Sequence, residues 1–318
     1  MTELYKIHYP LDNNIYQASD QVVVMGYFDG VHKGHQAVIK AAREKADKLC
    51  LPLAVLTYTP YPGVVFEKQS LPWHDLTPLD EKVALLGELG VDRVYCLNLT
   101  SALSTLKPED FVEQVLLALR AKAVVAGYDH LYGRPADRAD MAHLPEYAQG
   151  RFEVITVGKK TLAGDDAAAK VASRDIRAAL ADGDLDFAND NLGRAHRTTG
   201  IVVHGDARGR TLGFPTINVW TPELETLPAL GIYVVRVQIA GQTVKGMASI
   251  GRNVTFEANR PVTVEINLLD FKQAVYGEPV KVDWLQYLRG EVAFDSAEDL
   301  IAQLERDRED TREYFKKN

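Results

Sequence analysis

Cysteine is almost missing from this chain: only Cys50 and Cys96 occur in its 318 residues. They lie far apart, form no C-x-x-C pair and sit in apolar surroundings, so both read as buried free thiols in a reducing cytosol. No apolar stretch reaches the ~18 residues of a membrane span, and the opening MTELYKIHYP holds no apolar signal region. A basic excess is absent too, since 36 Lys and Arg face 44 Asp and Glu for a net charge of −8. That balance argues against a nucleic-acid or anionic-membrane surface. There is no internal repeat, and no G-x-x-x-x-G-K-[ST], which excludes Walker-type phosphate binding on motif grounds. These absences leave a soluble, cytoplasmic globular protein, long enough for two cores.

What is present comes in two textures. Short apolar runs at residues 22–25, 53–56, 93–97, 123–126 and 152–157 read as buried strands. Helical patterns lie between them: at 36–49, where Ile39, Ala42, Ala46 and Leu49 share a face, at 79–89, and at 108–119 with Pro108 near its start. Strands alternating with helices predict a Rossmann-like parallel α/β domain with helices on both faces of its sheet. A last helix is expected at 173–180. The acidic stretch 181–193 then reads as a connection with a short helix in it. Beyond it, β-branched runs at 199–204, 232–239, 243–249, 262–269 and 280–284 predict a small antiparallel β-barrel. An amphipathic helix closes the chain, opened by a Ser296/Asp299 capping box, with Leu300 and Leu304 on its apolar face. The expected domains are residues 1–184 and 185–318.

The first strand runs directly into Gly26-Tyr27-Phe28-Asp29-Gly30-Val31-His32-Lys33-Gly34-His35, which opens the first helix. Glycines let the backbone turn sharply and approach a ligand, and a helix N-terminus presents unpaired N–H groups to phosphate. His32 and His35, three residues apart, could both face one phosphate chain and donate to charge developing on it. Taken alone, H-x-x-H also fits a metal pair or two surface histidines, although no further Cys or His cluster supplies extra ligands.

The richest segment is 200–218, where Gly205, Gly209 and Gly213 recur every fourth residue with Arg208 and Arg210 between them. Such a loop can wrap phosphates with backbone N–H groups and guanidinium charge; it would equally serve as a hairpin loop. Thr216 and Asn218 alternate, so on an extended chain they point the same way, and a hydroxyl with an amide oxygen suits Mg²⁺ on nucleotide phosphates. Glu265 falls in the apolar run VTVEINLLD, either as a solvent-facing residue of a strand or as a working carboxylate.

These residues carry a resemblance. The G-x-F-D-G-x-H-x-G-H segment is similar to the signature of HxGH nucleotidyltransferases, in the form found in bacterial bifunctional riboflavin kinase/FAD synthetases, which often have Asn where Tyr27 stands. Thr57-Tyr58-Thr59-Pro60-Tyr61-Pro62, Leu76-Thr77 with Glu81-Lys82, and Gly127-Tyr128-Asp129-His130-Leu131-Tyr132-Gly133 resemble later motifs of that family, with His130 and Tyr132 replacing two Phe. The family's I-S-S-T-x-I-R appears as Val171-Ala172-Ser173-Arg174-Asp175-Ile176-Arg177: Ser173 and Arg177 are kept, but Ala172 and Arg174 depart from it. Gly213-Phe214-Pro215-Thr216-Ile217-Asn218 is very similar to the riboflavin kinase signature, and Gly231-Ile232-Tyr233, Glu265, Tyr276-Gly277 and Leu288-Arg289 continue the likeness.

The resemblance implies ATP-dependent phosphorylation of riboflavin to FMN, then adenylylation of FMN to FAD. It implies Glu265 as general base, and His32 and His35 as stabilisers of the adenylyl-transfer charge. Phosphate contacts would come from Gly26, Phe28, Asp29, Gly30, Gly34, Ser173, Arg177, Gly205, Arg208, Gly209, Arg210, Gly213, Pro215 and Thr216. Flavin contacts are implied for Pro60, Asp129, Tyr132 and Arg289, although Arg289 would also fit a surface ion pair with Glu291 or Asp295. Mg²⁺ would bind at Thr216 and Asn218, with riboflavin, FMN, FAD and ATP or ADP as ligands, no nucleic acid or membrane partner, and self-association left open. Two further readings stand beside this one: a kinase whose first domain binds nucleotide poorly because of Ala172 and Arg174, and a flavin sensor without turnover.

Overall fold

A computed structural model describes residues 2–12, 19–66, 73–158, 172–205, 209, 212–251 and 262–318. The chain divides into two compact units, one formed by Met1–Trp73 and Pro78–Val171, the other by His74–Thr77 and Ala172–Asn318.

The first unit is built on a six-stranded sheet in the order β1-β4-β3-β2-β5-β6. Its strands are β1 (Glu3–Ile7), β2 (Gln21–Met25), β3 (Leu53–Thr59), β4 (Arg93–Asn98), β5 (Ala121–Gly127) and β6 (Glu153–Val157). Every neighbouring pair is parallel. A parallel sheet needs cover on both faces, and the central strand β2, QVVVM, is buried at all five positions. Val22, Val24, Leu53 and Val55 pack with Val38, Ile39, Ala42 and Ala46 of α1 (Lys33–Leu49) on one face. Val23, Met25, Ala54 and Leu56 join a second cluster with Phe111, Val115 and Leu116 on the other. Short helices α2 (Pro62–Phe66), α3 (Leu79–Glu88), α4 (Ser101–Ser104), α5 (Pro108–Phe111) and α6 (Leu144–Ala148) fill the crossovers, and α5 runs on into a π-helical stretch, Val112–Leu117.

The second unit opens with α7 (Ser173–Asp182) and α8 (Leu185–Leu192) and then closes a six-stranded antiparallel barrel in the order β10-β11-β8-β7-β12-β9. Its strands are β7 (His196–Val203), β8 (Ile217–Trp220), β9 (Gly231–Ile239), β10 (Gln242–Gly251), β11 (Thr263–Leu268) and β12 (Pro279–Arg289); α9 (Ala297–Lys317) ends the chain. The fully buried Tyr233 and Trp284 meet edge to face at 5.1 Å inside it, and the Trp284 indole donates to Thr198 Oγ1 at 3.0 Å. The Ser296 hydroxyl caps α9 as expected, accepting the Asp299 amide at 3.1 Å. From the segment His74–Thr77, Asp75 exchanges backbone hydrogen bonds with Leu224 and Thr226.

The parallel α/β unit, the barrel and the closing helix agree with the expectation. One reading is corrected: Cys96 is buried, but Cys50 is exposed. Cys50 is the C-cap of α1 in left-handed conformation, φ 52°, where the chain leaves the helix and its side chain turns away from the core.

Candidate active sites

In open parallel sheets ligands bind beyond the carboxyl ends of the strands, and the first candidate site lies there, between β2 and α1. The turn is tightly wound. Phe28 (φ 55°) and Val31 (φ 42°) adopt left-handed conformations beside Gly30 (φ 81°), a strain of about 1–3 kcal/mol for each such residue. A Cβ on Gly26 would fall 2.6 Å from the Phe28 ring, so only glycine fits beneath it. Phe28, Asp29 and His32 are buried.

Helix α1 starts at Lys33, ahead of the predicted residue 36, because His32 caps it: His32 Nδ1 accepts the His35 amide at 3.4 Å. The two imidazoles stack at 3.6 Å and 20°, with Gly34 leaving room for the His32 ring. His35 Nδ1 is buried and has no hydrogen-bond partner in the chain. Burial first, then the charges of His32 and Lys82, push the His35 pKa well below the usual imidazole value. His35 is therefore neutral at physiological pH. It presents a polar nitrogen that a ligand would satisfy.

Behind the turn, Thr57 Oγ1 and the buried Lys82 both donate to the Tyr27 carbonyl at 3.0 Å, and the Lys82 ammonium lies 4.1 Å from the Tyr27 ring centroid. Tyr27 leads into an aromatic row: Tyr61 at 5.0 Å, then Trp73 stacked on Tyr61 at 3.9 Å and 8°. Sequence reading assigned no role to Lys82, Tyr61 or Trp73. The Glu81-Lys82 motif was visible, but its destination was not. Pro60 and Asp129 are exposed at the ends of β3 and β5. Tyr132 is 9% exposed and packs on Phe111 at 5.2 Å. The His130 Nε2 and the Tyr132 hydroxyl are buried without partners, and burial brings the His130 pKa down to about 4.

Ser173 and Arg177 lie on α7, in the second unit. Ala172, the N-cap, has no side-chain acceptor; instead the Asp175 carboxylate accepts its N–H at 3.0 Å. The Arg174 side chain is 86% exposed and pairs with Asp175 at 3.3 Å. Arg177 Nε donates to the His74 carbonyl at 3.2 Å.

The second candidate site lies on the barrel, where antiparallel β8 and β11 put Asn218 directly opposite Glu265. Val264 and Ile266 are buried while Glu265, between them, is half-exposed. Thr216 Oγ1 donates to Glu265 Oε2 at 3.3 Å. The loop glycines fit closely around this trio. A Cβ on Gly205 would fall 2.2 Å from the Asn218 amide nitrogen, and one on Gly209 2.3 Å from the Phe214 carbonyl oxygen. Pro215 is held through its carbonyl, which accepts from Asn267 Nδ2 at 2.8 Å, and Gly213 takes φ 82°. His204 stacks on Tyr276 at 3.8 Å beside the loop. Arg208 and Arg210 lie outside the described residues.

Arg289 is bound to neither Glu291 nor Asp295. Its guanidinium forms a two-point pair with Asp307 of α9, at 2.9 and 2.6 Å, and also donates to the Gly290 carbonyl at 2.9 Å. Asp307 is 1% exposed and was missed from sequence. The available signal was its spacing, since Leu300, Leu304, Asp307 and Thr311 fall at helical intervals on one stripe.

Comparison with known proteins finds a match for both halves of the chain. The FAD synthetase family model matches residues 15–171, and the riboflavin kinase model matches 192–315. A bifunctional riboflavin kinase/FMN adenylyltransferase of Listeria monocytogenes is 43% identical over 98% of both chains. The enzyme of that name from Bacillus subtilis is 36% identical over 94% of both. A crystal structure described as a macrolide-efflux protein from Streptococcus pneumoniae superposes with a TM-score of 0.86 at 36% identity, covering 96% of this chain and 98% of that one. Among the described residues no helix is long and apolar enough to cross a membrane. Two family models in the expected order, and relatives matched end to end, place the chain in the family of bifunctional riboflavin kinase/FMN adenylyltransferases.

Proposed function

We propose that this chain makes flavin nucleotides in two ATP-dependent steps, phosphorylating riboflavin within residues 185–318 and adenylylating the resulting FMN within residues 1–184. The observation that carries the reading is the convergence of Thr216, just before β8, Asn218 on β8 and Glu265 on β11, with Gly205 close to Asn218 and Gly209 close to Thr216. In the first step Glu265 accepts the proton of the ribityl 5′-hydroxyl as that oxygen attacks the ATP γ-phosphorus and ADP leaves. The Thr216 hydroxyl, donating to Glu265, holds the carboxylate towards its target.

The donors beside Glu265 are a hydroxyl and an amide, hard oxygens that fit Mg²⁺. Among the described residues no group of three His, Cys, Asp or Glu side chains is arranged for a metal. Thr216 and Asn218 would therefore hold the ion together with the nucleotide's own oxygens. Bound there, Mg²⁺ would offset charge on the ATP phosphates.

In the second step a phosphate oxygen of FMN attacks the ATP α-phosphorus, and the bond to pyrophosphate breaks. His32 and His35, stacked at the start of α1, donate N–H groups to the charge that develops, and the helix N-terminus adds its partial positive charge. The proposal includes a cytoplasmic location, where ATP is supplied and free thiols persist. A second reading, a kinase without adenylyl transfer, has one observation in its favour: Ala172 lacks the hydroxyl that would cap α7. Purified chain with riboflavin, ATP and MgCl₂, followed by HPLC, separates the two. FMN followed by FAD is expected; FMN alone would support the second reading, and no conversion would overturn both.

A further inference from the structure

Among the described residues, four buried side-chain atoms of the first unit have no hydrogen-bond partner in the chain: His35 Nδ1, the Tyr58 hydroxyl, His130 Nε2 and the Tyr132 hydroxyl. Leaving such atoms unpaired is costly, and these four are not scattered. His35 lies in the first turn of α1, after β2; Tyr58 is the last residue but one of β3; His130 and Tyr132 follow β5. Those strands are neighbours in the order β3-β2-β5, so all four atoms belong to the carboxyl end of the sheet's centre. The chain leaves β2 on one side for β3 and reaches β5 on the other, and parallel sheets take their ligands in the crevice at such a reversal. Tyr58 shares its face of the sheet with Ala54 and Leu56 by strand alternation. It joins Tyr132 and Phe111 in one apolar cluster on that face.

We propose that the Tyr58 and Tyr132 hydroxyls and His130 Nε2 read the polar edge of the flavin ring in the adenylyl-transfer site, leaving His35 for the phosphates. The inference rests on the adenylyl-transfer reading of that site. The pyrimidine edge of an isoalloxazine shows an acceptor, a donor and an acceptor: O2, N3–H and O4. Two hydroxyls that donate and one ring nitrogen that accepts are its complement. Burial holds the His130 pKa at about 4, so the ring is neutral and keeps an acceptor nitrogen. Burial also raises the pKa of both tyrosines, which therefore keep the protons they donate. Strands β3 and β5 stand two strand spacings apart, about 10 Å, a gap that a three-ring system bridges. The loop after β5 is inside out: its polar ring atoms are buried, while Tyr128 and Leu131 are 40% and 50% exposed. Its backbone is held where Tyr128, His130 and Tyr132 donate to the Val157, Gly127 and Ala139 carbonyls. Side chains alone then re-seat around a flat ring, Tyr128 and Leu131 covering its apolar face as the three polar atoms reach its edge.

The test uses the full chain and its Tyr58→Phe, Tyr132→Phe and His130→Phe variants, with riboflavin phosphorylation as an internal control of folding. FMN binding is measured by isothermal titration calorimetry, and the KM values for FMN and ATP are followed in FAD formation. Each substitution should weaken one FMN site, and raise the KM for FMN, by about fivefold to a hundredfold, with the KM for ATP unchanged. At that site the wild type should bind FMN methylated at N3 more weakly than FMN, and His130→Phe should narrow the gap. Because each tyrosine variant removes a hydroxyl that has no partner in the free chain, neither should lower its urea midpoint. Unchanged FMN binding in all three variants overturns the proposal, and a lowered midpoint beside it marks the hydroxyls as structural. A weakening for ATP in place of FMN also overturns it, because the edge being read is then that of adenine. If the variants weaken FMN binding but the wild-type chain makes no FAD, the adenylyl-transfer reading fails and the reading of the flavin edge stands. Should one variant fail to fold, the other two decide by the same measurements.

Discussion

Glu265 owes its position to strand alternation: its two neighbours on β11 are buried in the barrel, so its carboxylate faces outward beside Thr216. Glu265→Gln keeps the shape and one hydrogen-bonding oxygen but cannot take a proton. Riboflavin phosphorylation should fall by about 10²–10⁴-fold while adenylylation of supplied FMN continues, as HPLC with each substrate would show. A loss of both activities would mean that the substitution damages the fold. Glu265 was singled out through the family resemblance, and Thr216 and Asn218 through their alternation as well; the structure brings the three side by side. Lys82 and Asp307 were not legible, since their importance comes from burial, and burial of a charged side chain is decided by which distant backbone packs over it.

At the scale of the element, α9 is fastened to β12 by the Arg289–Asp307 pair, with Asp307 also accepting from Gln303 at 2.8 Å. Ile301 and Leu304 supply the apolar contact, against the cluster of Phe214, Ile232 and Met247. Asp307→Ala strands a largely buried guanidinium and should destabilise the barrel unit by about 3–5 kcal/mol, read as a lower urea midpoint. Strand β7 begins with His196, 2% exposed, whose Nε2 lies 2.7 Å from the Thr226 carbonyl. Burial brings its pKa down to about 4, with Arg194 adding to the shift and the Thr226 contact opposing it. The folded unit therefore refuses a proton that the unfolded chain accepts below about pH 6.5. No penalty exists above that pH. It grows as pH falls and reaches about 3 kcal/mol near pH 4. In urea titrations His196→Gln should lose less stability than the wild type between those limits.

The same scale shows how the sequence could be read and where it could not. Short apolar runs revealed β2 to β5, which are covered on both faces, and also β6, an edge strand in which only Val157 is buried. Strand β1 escaped because ELYKI, broken by Lys6 and opened by Glu3, shows no apolar run, whereas the equally exposed edge strand β6, EVITV, does. Strand β8 escaped because four residues, INVW, are too few to display a period. The continuation of α5 as π-helix left no trace either, since a hydrophobic stripe reports which face is buried and not how the backbone bonds are spaced. Cys50 was misread because its sequence neighbours are apolar: at the end of α1 both it and Leu49 are exposed.

For the whole molecule, the two proposed steps draw on residues far apart in the chain, and FMN links them as a product that can be released. Chains carrying Glu265→Gln mixed with chains carrying His35→Ala should therefore make FAD from riboflavin and ATP, although neither variant does so alone. Failure of the mixture, with each single activity intact, would mean that FMN is handed over without release.

Helix α1 has one further property, which comes from its two ends. It begins at the histidine pair and ends 17 residues later beside an exposed thiol, a separation of about 25 Å at the rise of an α-helix. Since Cys96 is 1% exposed, Ellman's reagent should titrate one thiol quickly in the native chain and two after unfolding. A maleimide dye would then mark a single spot on the far end of the helix, leaving the Gly26–His35 turn untouched: a ready-made optical label on the rod whose opposite tip carries the two histidines.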